Sequence, residues 1–370
     1  LLTVEIIAPT ELSTGDRHAW QALRTSHAAF QSPLLGPDFA AAVGRMRADA
    51  AVAVYRRDGR AIGFLAHHRR PGGLARPIGA PFSDYHALVA EPGMDGREAL
   101  QLAGVREFRF SGLIDTEQAF GSLATGTSYA VEIPAGPSGG AAYVEGLRSE
   151  SPKRFKNIRR LDHKLGREVG EVRLVAPDTD PVRLDQLFAW KSLQFAESGL
   201  TDVFAAPWAK ALMRRLFTTG EGDLSGLMIT LMAGDRPVAI HFGVREGERY
   251  HPWAAAHDET LSAYSPGQVF LWRAFEAMPQ LGLRWYDLAG GHDHYKLPFA
   301  NRTLEVMSGV VGERPNRWSL VEAALGERGR RLRRRIDQIA AVELTLPGRA
   351  IALAEALATS PRRGALRSGG

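Results

Sequence analysis

Three apolar runs follow one another between residues 224 and 258: "LSGLMITLMAG", "RPVAIHFGVREG" and "RYHPWAAAHD", broken at Gly234-Asp235 and Gly247-Glu248. Short apolar runs separated by glycine-containing turn dipeptides predict an antiparallel meander. Two segments of helical period, "RLDQLFAWKSLQFAESG" and "APWAKALMRRLFTTG", precede it; a third helix, "QVFLWRAFEAMPQLG", and a strand, "LRWYDLAGG", follow. The order helix, helix, three strands, helix, strand requires a mixed α/β (α+β) fold with a mostly antiparallel sheet.

The first half reads similarly. A strand is expected at "TVEIIA", a helix from Asp16 to Phe30, and a hairpin in "AVAVYRRDGRAIGFLAHHRR" turning at Asp58-Gly59. A helix near Gly96 to Ala103 and strands at "VREFRFSGL" and "SYAVEIP" come next, while "PAGPSGGAAYVEGLRSES" reads as a connection. A length of 370 residues suits two domains. The expected division is an N-terminal half over 1–135, a C-terminal half over 136–312 and a helical tail over 313–370. The absence of cysteine excludes disulfides, thiolate nucleophiles and sulfur-ligated metal. No apolar run reaches the length of a membrane span, and "LLTVEIIAPTEL" lacks a secretory pattern, so a cytoplasmic location is expected.

Charge is distributed unevenly. Residues 301–370 hold 13 Arg, no Lys and 7 acidic residues, a balance of +6 against +5 for the whole chain, which leaves −1 for residues 1–300. The tail segment "RWSLVEAALGERGRRLRRRIDQIAAVEL" carries Arg328, Arg330, Arg331 and Arg334 among six arginines that cannot share one helical face. This collar is either a solvated appendage or an anion site for a cyclic dinucleotide, a nucleotide-linked sugar or an anionic inner-membrane surface. Nucleic acid is the least favoured partner, because no aromatic platform is interleaved with these arginines.

A second basic segment is "SPKRFKNIRRLDHKLGRE". Ser151 and Pro152 open a helix in which Phe155, Ile158, Leu161 or Asp162, Leu165 and Val169 make an apolar stripe. Lys153, Lys156, Arg159, Arg160, Lys164 and Arg167 occupy the other faces, as a solvated surface or as contacts to a phosphate-bearing or acidic substrate.

The stretch "RWYDLAGGHDHYKLPF" sets His292 and His294 one residue apart. A closed metal site needs further ligands, and no HExxH or cysteine cluster supplies them, so no metal is expected. His241 and His257, on apolar strands, read as core residues.

Taken together with "YSPGQVFLWRAFEAMPQLG", "SPKRFKNIRR" and "PFSDYHALV", this order resembles the GNAT-type acyltransferases of the CelD-like, FemAB-related subgroup. With its basic tail, the chain is broadly similar to a holdfast-associated GNAT protein. The resemblance implies two tandem GNAT-like halves around a cleft. It implies an acyltransferase, an N-acetyltransferase in the usual case, moving an acyl group from acetyl-CoA or another acyl-CoA to an amino sugar or glycan precursor in exopolysaccharide or adhesin biosynthesis. Control by cyclic di-GMP at the tail is part of the same analogy.

Ser265, Pro266, Gly267 and Gln268 sit where helix-start amides would hold the CoA pyrophosphate; an ordinary Ser-Pro helix start is the alternative. Asp287 or His292 would serve as base and Tyr295 as acid or orienter. Lys296 would bind an anionic acceptor, with Asp84, Tyr85 and His86 reaching the cleft from the other half. Alternatively, Asp287 is a turn cap and the others are loop residues. The competing function is a non-catalytic, nucleotide-binding regulator on a degenerate GNAT scaffold.

Overall fold

The computed structural model describes residues 1–121, 123–198, 202–290 and 296–312, with 326, 336, 339–340, 342–343 and 346–358 beyond them. The strands are β1 (Leu2–Ile7), β2 (Ala50–Arg57), β3 (Arg60–Arg70), β4 (Leu74–Pro77), β5 (Val89–Ala90), β6 (Glu107–Leu113), β7 (Ala124–Glu132), β8 (Val172–Val175), β9 (Ser225–Ala233), β10 (Arg236–Glu246), β11 (Arg249–His257), β12 (Trp285–Gly290) and β13 (Arg302–Gly312). The helices are α1 (Thr14–Thr25), α2 (Pro37–Met46), α3 (Gly96–Leu102), α4 (Gly139–Glu150), α5 (Pro152–Glu168), α6 (Pro181–Ser198), α7 (Pro207–Thr218), α8 (Pro266–Ala277) and α9 (Leu346–Ala358).

All strands join one mixed sheet in the order β1-β2-β3-β4-β6-β13-β7-β12-β11-β10-β9-β8, with β5 on β3. The fold class is the expected one, mixed α/β with a mostly antiparallel sheet. Both hairpin turns of the meander fall at the expected glycines, and the β2–β3 turn uses Asp58 (φ 52°) and Gly59 (φ 82°), the paired left-handed conformation that a two-residue hairpin demands. Two parallel strand pairings, with an isolated parallel bridge His86–Leu113 beside them, interrupt the antiparallel pattern. β4 meets β6 at Leu74–Glu107 and Ala75–Phe108, and β11 meets β12 at Arg249–Trp285 and Tyr250–Tyr286. Each lasts two residue pairs before the strands separate, so each half of the chain contains one splayed pair. β13 lies between β6 and β7 and thereby ties the halves together.

Several boundaries differ from the expectation. The first helix stops at Thr25 and is followed by a separate 3-10 turn, Ala28–Phe30. More important, the Gly/Pro-rich stretch expected to be a connection contains helix α4. Its glycines serve close packing: a Cβ on Gly140 would lie 2.3 Å from the carbonyl of Phe275 on α8. α5 follows directly and buries Phe155, Ile158, Leu161 and Leu165 against Val269, Phe270, Ala274 and Phe275 of α8. Asp162, buried beside this stripe, receives a two-pronged bond from Arg273 at 2.7 and 2.8 Å. Beyond β13 the chain returns to the first half: Ile339 and Val342 are buried, and the Ala340 carbonyl accepts from Arg70 at 3.0 Å.

Candidate active site

The position where β11 and β12 separate is also where ionisable side chains converge. His251 and Asp287 immediately follow the last paired residues, Tyr250 and Tyr286. His251 Nε2 lies 2.8 Å from Asp84 Oδ2, and its Nδ1 lies 3.5 Å from Asp287 Oδ2. The second distance is an ion-pair contact, too long for a good hydrogen bond. Tyr85 Oη donates to Asp287 Oδ1 at 2.9 Å and shares a 2.5 Å hydrogen bond with Ser128 Oγ. The Ala289 amide donates to the same Asp287 oxygen at 2.6 Å. Three segments, residues 84–85, β7 and the splayed pair, therefore build one constellation.

Local backbone features explain why these side chains meet. Gly112 has φ 90°, and a Cβ there would fall 1.9 Å from the Asp84 carbonyl; its absence lets residues 84–86 lie directly on β6, where the His86 amide donates to the Gly112 carbonyl. Gly243 likewise admits the backbone of His251 and Pro252, with a would-be Cβ 2.1 Å from the His251 carbonyl. Register shifts interrupt the β10–β11 ladder after Phe242 and the β12–β7 ladder after Asp287. The second coincides with Ala289 at φ 59°, which folds its amide back onto the Asp287 carboxylate.

The electrostatics follow from burial between charges. Burial alone would push the His251 pKa down, but Asp287 foremost, with Asp84, outweighs it and raises the value to about 10. His251 is thus an imidazolium near neutrality, a cation clamped between two carboxylates rather than a proton acceptor. The Tyr85 hydroxyl is held well above its ordinary pKa by burial and by Asp287, which keeps it a neutral donor. Beside the cluster opens a cleft of about 230 Å³ lined by Tyr85, Arg249, His251, Trp285, Asp287 and Thr303. The Arg249 guanidinium lies 4.5 Å above the Trp285 ring and donates to Gln31 at 2.6 Å.

The structure sorts the sequence-derived candidates. Asp84, Tyr85 and Asp287 come together. His86 does not: it is buried between the rings of Phe108 and Phe110, and burial pushes its pKa down to about 3. His241 is the core residue expected, stacked on Phe270 and 2.8 Å from Tyr286 Oη. His257 is not; its side chain is 31% exposed beside Glu259. Lys296, half-buried, lies near enough to His241 to contribute to its lowered pKa, behind the larger effect of burial.

Ser265 adopts φ 50° and makes no side-chain cap, and Pro266 has no amide hydrogen; the Gln268 amide donates to the Ser265 carbonyl at 3.0 Å, so Gly267 holds the first-turn amide that no side chain caps. His292, His294 and Tyr295 lie outside the described residues, as do Arg328, Arg330, Arg331 and Arg334. Among the described residues no group of three or more metal-ligating side chains exists, and no helix is long and apolar enough to cross a membrane. The sequence reading missed His251. Its signal was faint: a histidine in an apolar strand at the level of the later Asp287.

The splayed β11–β12 pair stands beside the α8 start, which no side chain caps, in one mixed sheet. Comparisons with known proteins bear on this region and on the fold. Residues 152–297 match the family described as acetyltransferase (GNAT) domain. A conserved Bacteroides thetaiotaomicron protein of unknown function superposes with a TM-score of 0.50 at 12% identity, covering 83% of this chain and 100% of that one. FemX superposes with a TM-score of 0.50 at 10% identity, covering 83% and 96%. A tandem GNAT protein from the clavulanic acid biosynthesis pathway gives 0.48 at 10% identity, covering 85% and 100%. No curated protein matches the sequence.

Proposed function

We propose that the protein is an acyl-CoA-dependent N-acyltransferase whose acceptor amine binds in the cleft between the two halves. The observation that carries this reading is the Asp84–His251–Asp287 array, its histidine and Asp287 buried and its Asp84 exposed, at the point where β11 and β12 separate. The acetyltransferase domain match across α5 to Leu297 supports it, since that span contains both splayed strands and the start of α8. The amides around Gly267 receive the CoA pyrophosphate.

Asp287 has one oxygen engaged by Tyr85 and Ala289 and the other facing His251, so its part is to position the array. Asp84 differs. Its side chain is 43% exposed and only Oδ2 is taken by His251, which leaves Oδ1 to receive a proton. In the transfer, the amine nitrogen bonds to the acyl carbon, the carbon–sulfur bond breaks with CoA departing as its thiolate, and the amine's surplus proton passes to Asp84, which gives it up to solvent as the thiolate takes up a proton to become CoA thiol. On the family resemblance, Tyr295 serves as acid or orienter and His292 as an alternative base, with Lys296 holding an anionic group of the acceptor.

An amino sugar or glycan precursor is the proposed acceptor class, and an anion at the arginine collar is the proposed regulator. The test is thioester consumption with acetyl-CoA and a panel of amino sugars, beside calorimetric titration of acetyl-CoA. Asp84→Asn should lower turnover at least a hundredfold while leaving acetyl-CoA affinity within about twofold. Absence of acetyl-CoA binding to the folded protein would overturn the assignment.

A further inference from the structure

A groove away from the site above plays no part in it. It lies between α4 and α5, has a volume of about 700 Å³, and is lined by Arg148, Lys156, Arg159, Arg160, His163 and Arg167 together with Glu145, Ser149 and Pro152. The lining positions on α5 recur at steps of three and four from 152 to 167, one face of the helix, over about 22 Å at 1.5 Å per residue. This is the face opposite the Phe155, Ile158, Leu161 and Leu165 stripe.

The cations here are conspicuous for lacking counter-ions. Glu145 is the only carboxylate in the lining, and Arg148 holds it at 2.9 Å. Arg160 reaches only the Asn157 amide oxygen, and Lys156, Arg159, His163 and Arg167 have no carboxylate partner among the described residues. The pairs Lys156–Arg159, Lys156–Arg160 and Arg160–Lys164 stand three or four residues apart, where like charges destabilise a helix. Tight packing against α8 keeps α5 helical regardless, so the repulsion persists until an anion relieves it.

We propose that this groove is a docking track for a single phosphodiester strand, held by its backbone. Cations advance along α5 in steps of about 4.5 and 6 Å, so successive phosphates of a strand laid in the groove each meet one. No Phe, Tyr or Trp is among the described residues that line the groove, so binding is to backbone and indifferent to base sequence. A bilayer fits less well. None of the exposed large apolar side chains, at residues 1, 102, 182, 193 and 351, belongs to the groove, and exposed Glu150, Glu168 and Glu171 flank its ends, where a flat anionic surface would meet them.

The experiment is fluorescence anisotropy of labelled 12-nucleotide single strands, RNA and DNA, with the full chain at 50 and 200 mM salt. Anionic phosphatidylglycerol vesicles form a parallel arm. Neutralisation of about five phosphates predicts a roughly hundredfold loss of affinity across that salt range. The double substitution Lys156→Glu/Arg160→Glu should weaken strand binding at least tenfold and flatten the salt dependence. Arg159→Ala/Arg167→Ala should do so to a smaller degree. Both pairs are exposed, so thermal unfolding should match wild type. No strand binding at 50 mM salt refutes the proposal, as does wild-type binding by both variants, which would move the site to the tail arginines. Binding to vesicles alone assigns the groove to a membrane surface and equally refutes it.

Discussion

His251 offers the sharpest test of the electrostatics. Replacing it with glutamine removes a buried cation from between Asp84 and Asp287 while keeping much of the side-chain volume. A histidine pKa raised from 6.5 to about 10 corresponds to about 5 kcal/mol of preference for the charged form in the folded state, and breaking a buried ion pair costs about 3–5 kcal/mol. These describe the same interaction and are not added. Because the folded pKa lies above the unfolded one, the stabilisation is fully present below about pH 6.5 and is lost as pH rises through about 10. Urea unfolding of wild type and His251→Gln at pH 6.5, 8 and 9.5 should therefore show a stability gap of about 4 kcal/mol that shrinks to about 1 kcal/mol at the highest pH. Titrations common to both proteins cancel in the difference. A gap that stays constant over this range would mean that His251 acts by packing alone, and the clamped imidazolium would be wrong.

Other outcomes follow from the same geometry. Tyr85→Phe deletes the hydroxyl shared by Ser128 and Asp287; it should cost about 1–3 kcal/mol in chemical denaturation and lower turnover without altering acetyl-CoA affinity. Gly112→Ala would place a methyl 1.9 Å from the Asp84 carbonyl at a positive φ, so thermal unfolding should reveal a loss of at least about 2 kcal/mol. Arg273→Ala leaves Asp162 buried and unpaired, and should destabilise α5 against α8 by about 3 kcal/mol, seen as faster amide exchange in both helices. Gly267→Val, at the uncapped start of α8, should weaken acetyl-CoA binding at least tenfold by calorimetry, with unfolding unchanged.

The elements that local pattern dictates were legible in the chain. The three runs from Leu224 to Asp258 needed only period and glycine turns to become β9, β10 and β11, and Pro152 with the stripe from Phe155 to Leu165 sufficed for α5. Asp287 stood out at the end of an apolar strand, while Asp84 and Tyr85 were indicated only by the family resemblance of "PFSDYHALV". Contacts between segments decided the rest. Gly139 and Gly140 look like a linker until the backbone of Pro134 packs on the first and that of α8 on the second, leaving no room for a Cβ. His251 looks like a core histidine until two carboxylates, from 167 residues before it and 36 after it, flank its ring. His86 lies beside Tyr85 in sequence yet packs against the rings of Phe108 and Phe110 instead of joining the site. Sequence therefore determined which segments become strands and helices, since side-chain period and turn chemistry act over a few residues. Which charges share a buried site depends on strands brought together across the whole chain, and only the tertiary structure fixes that.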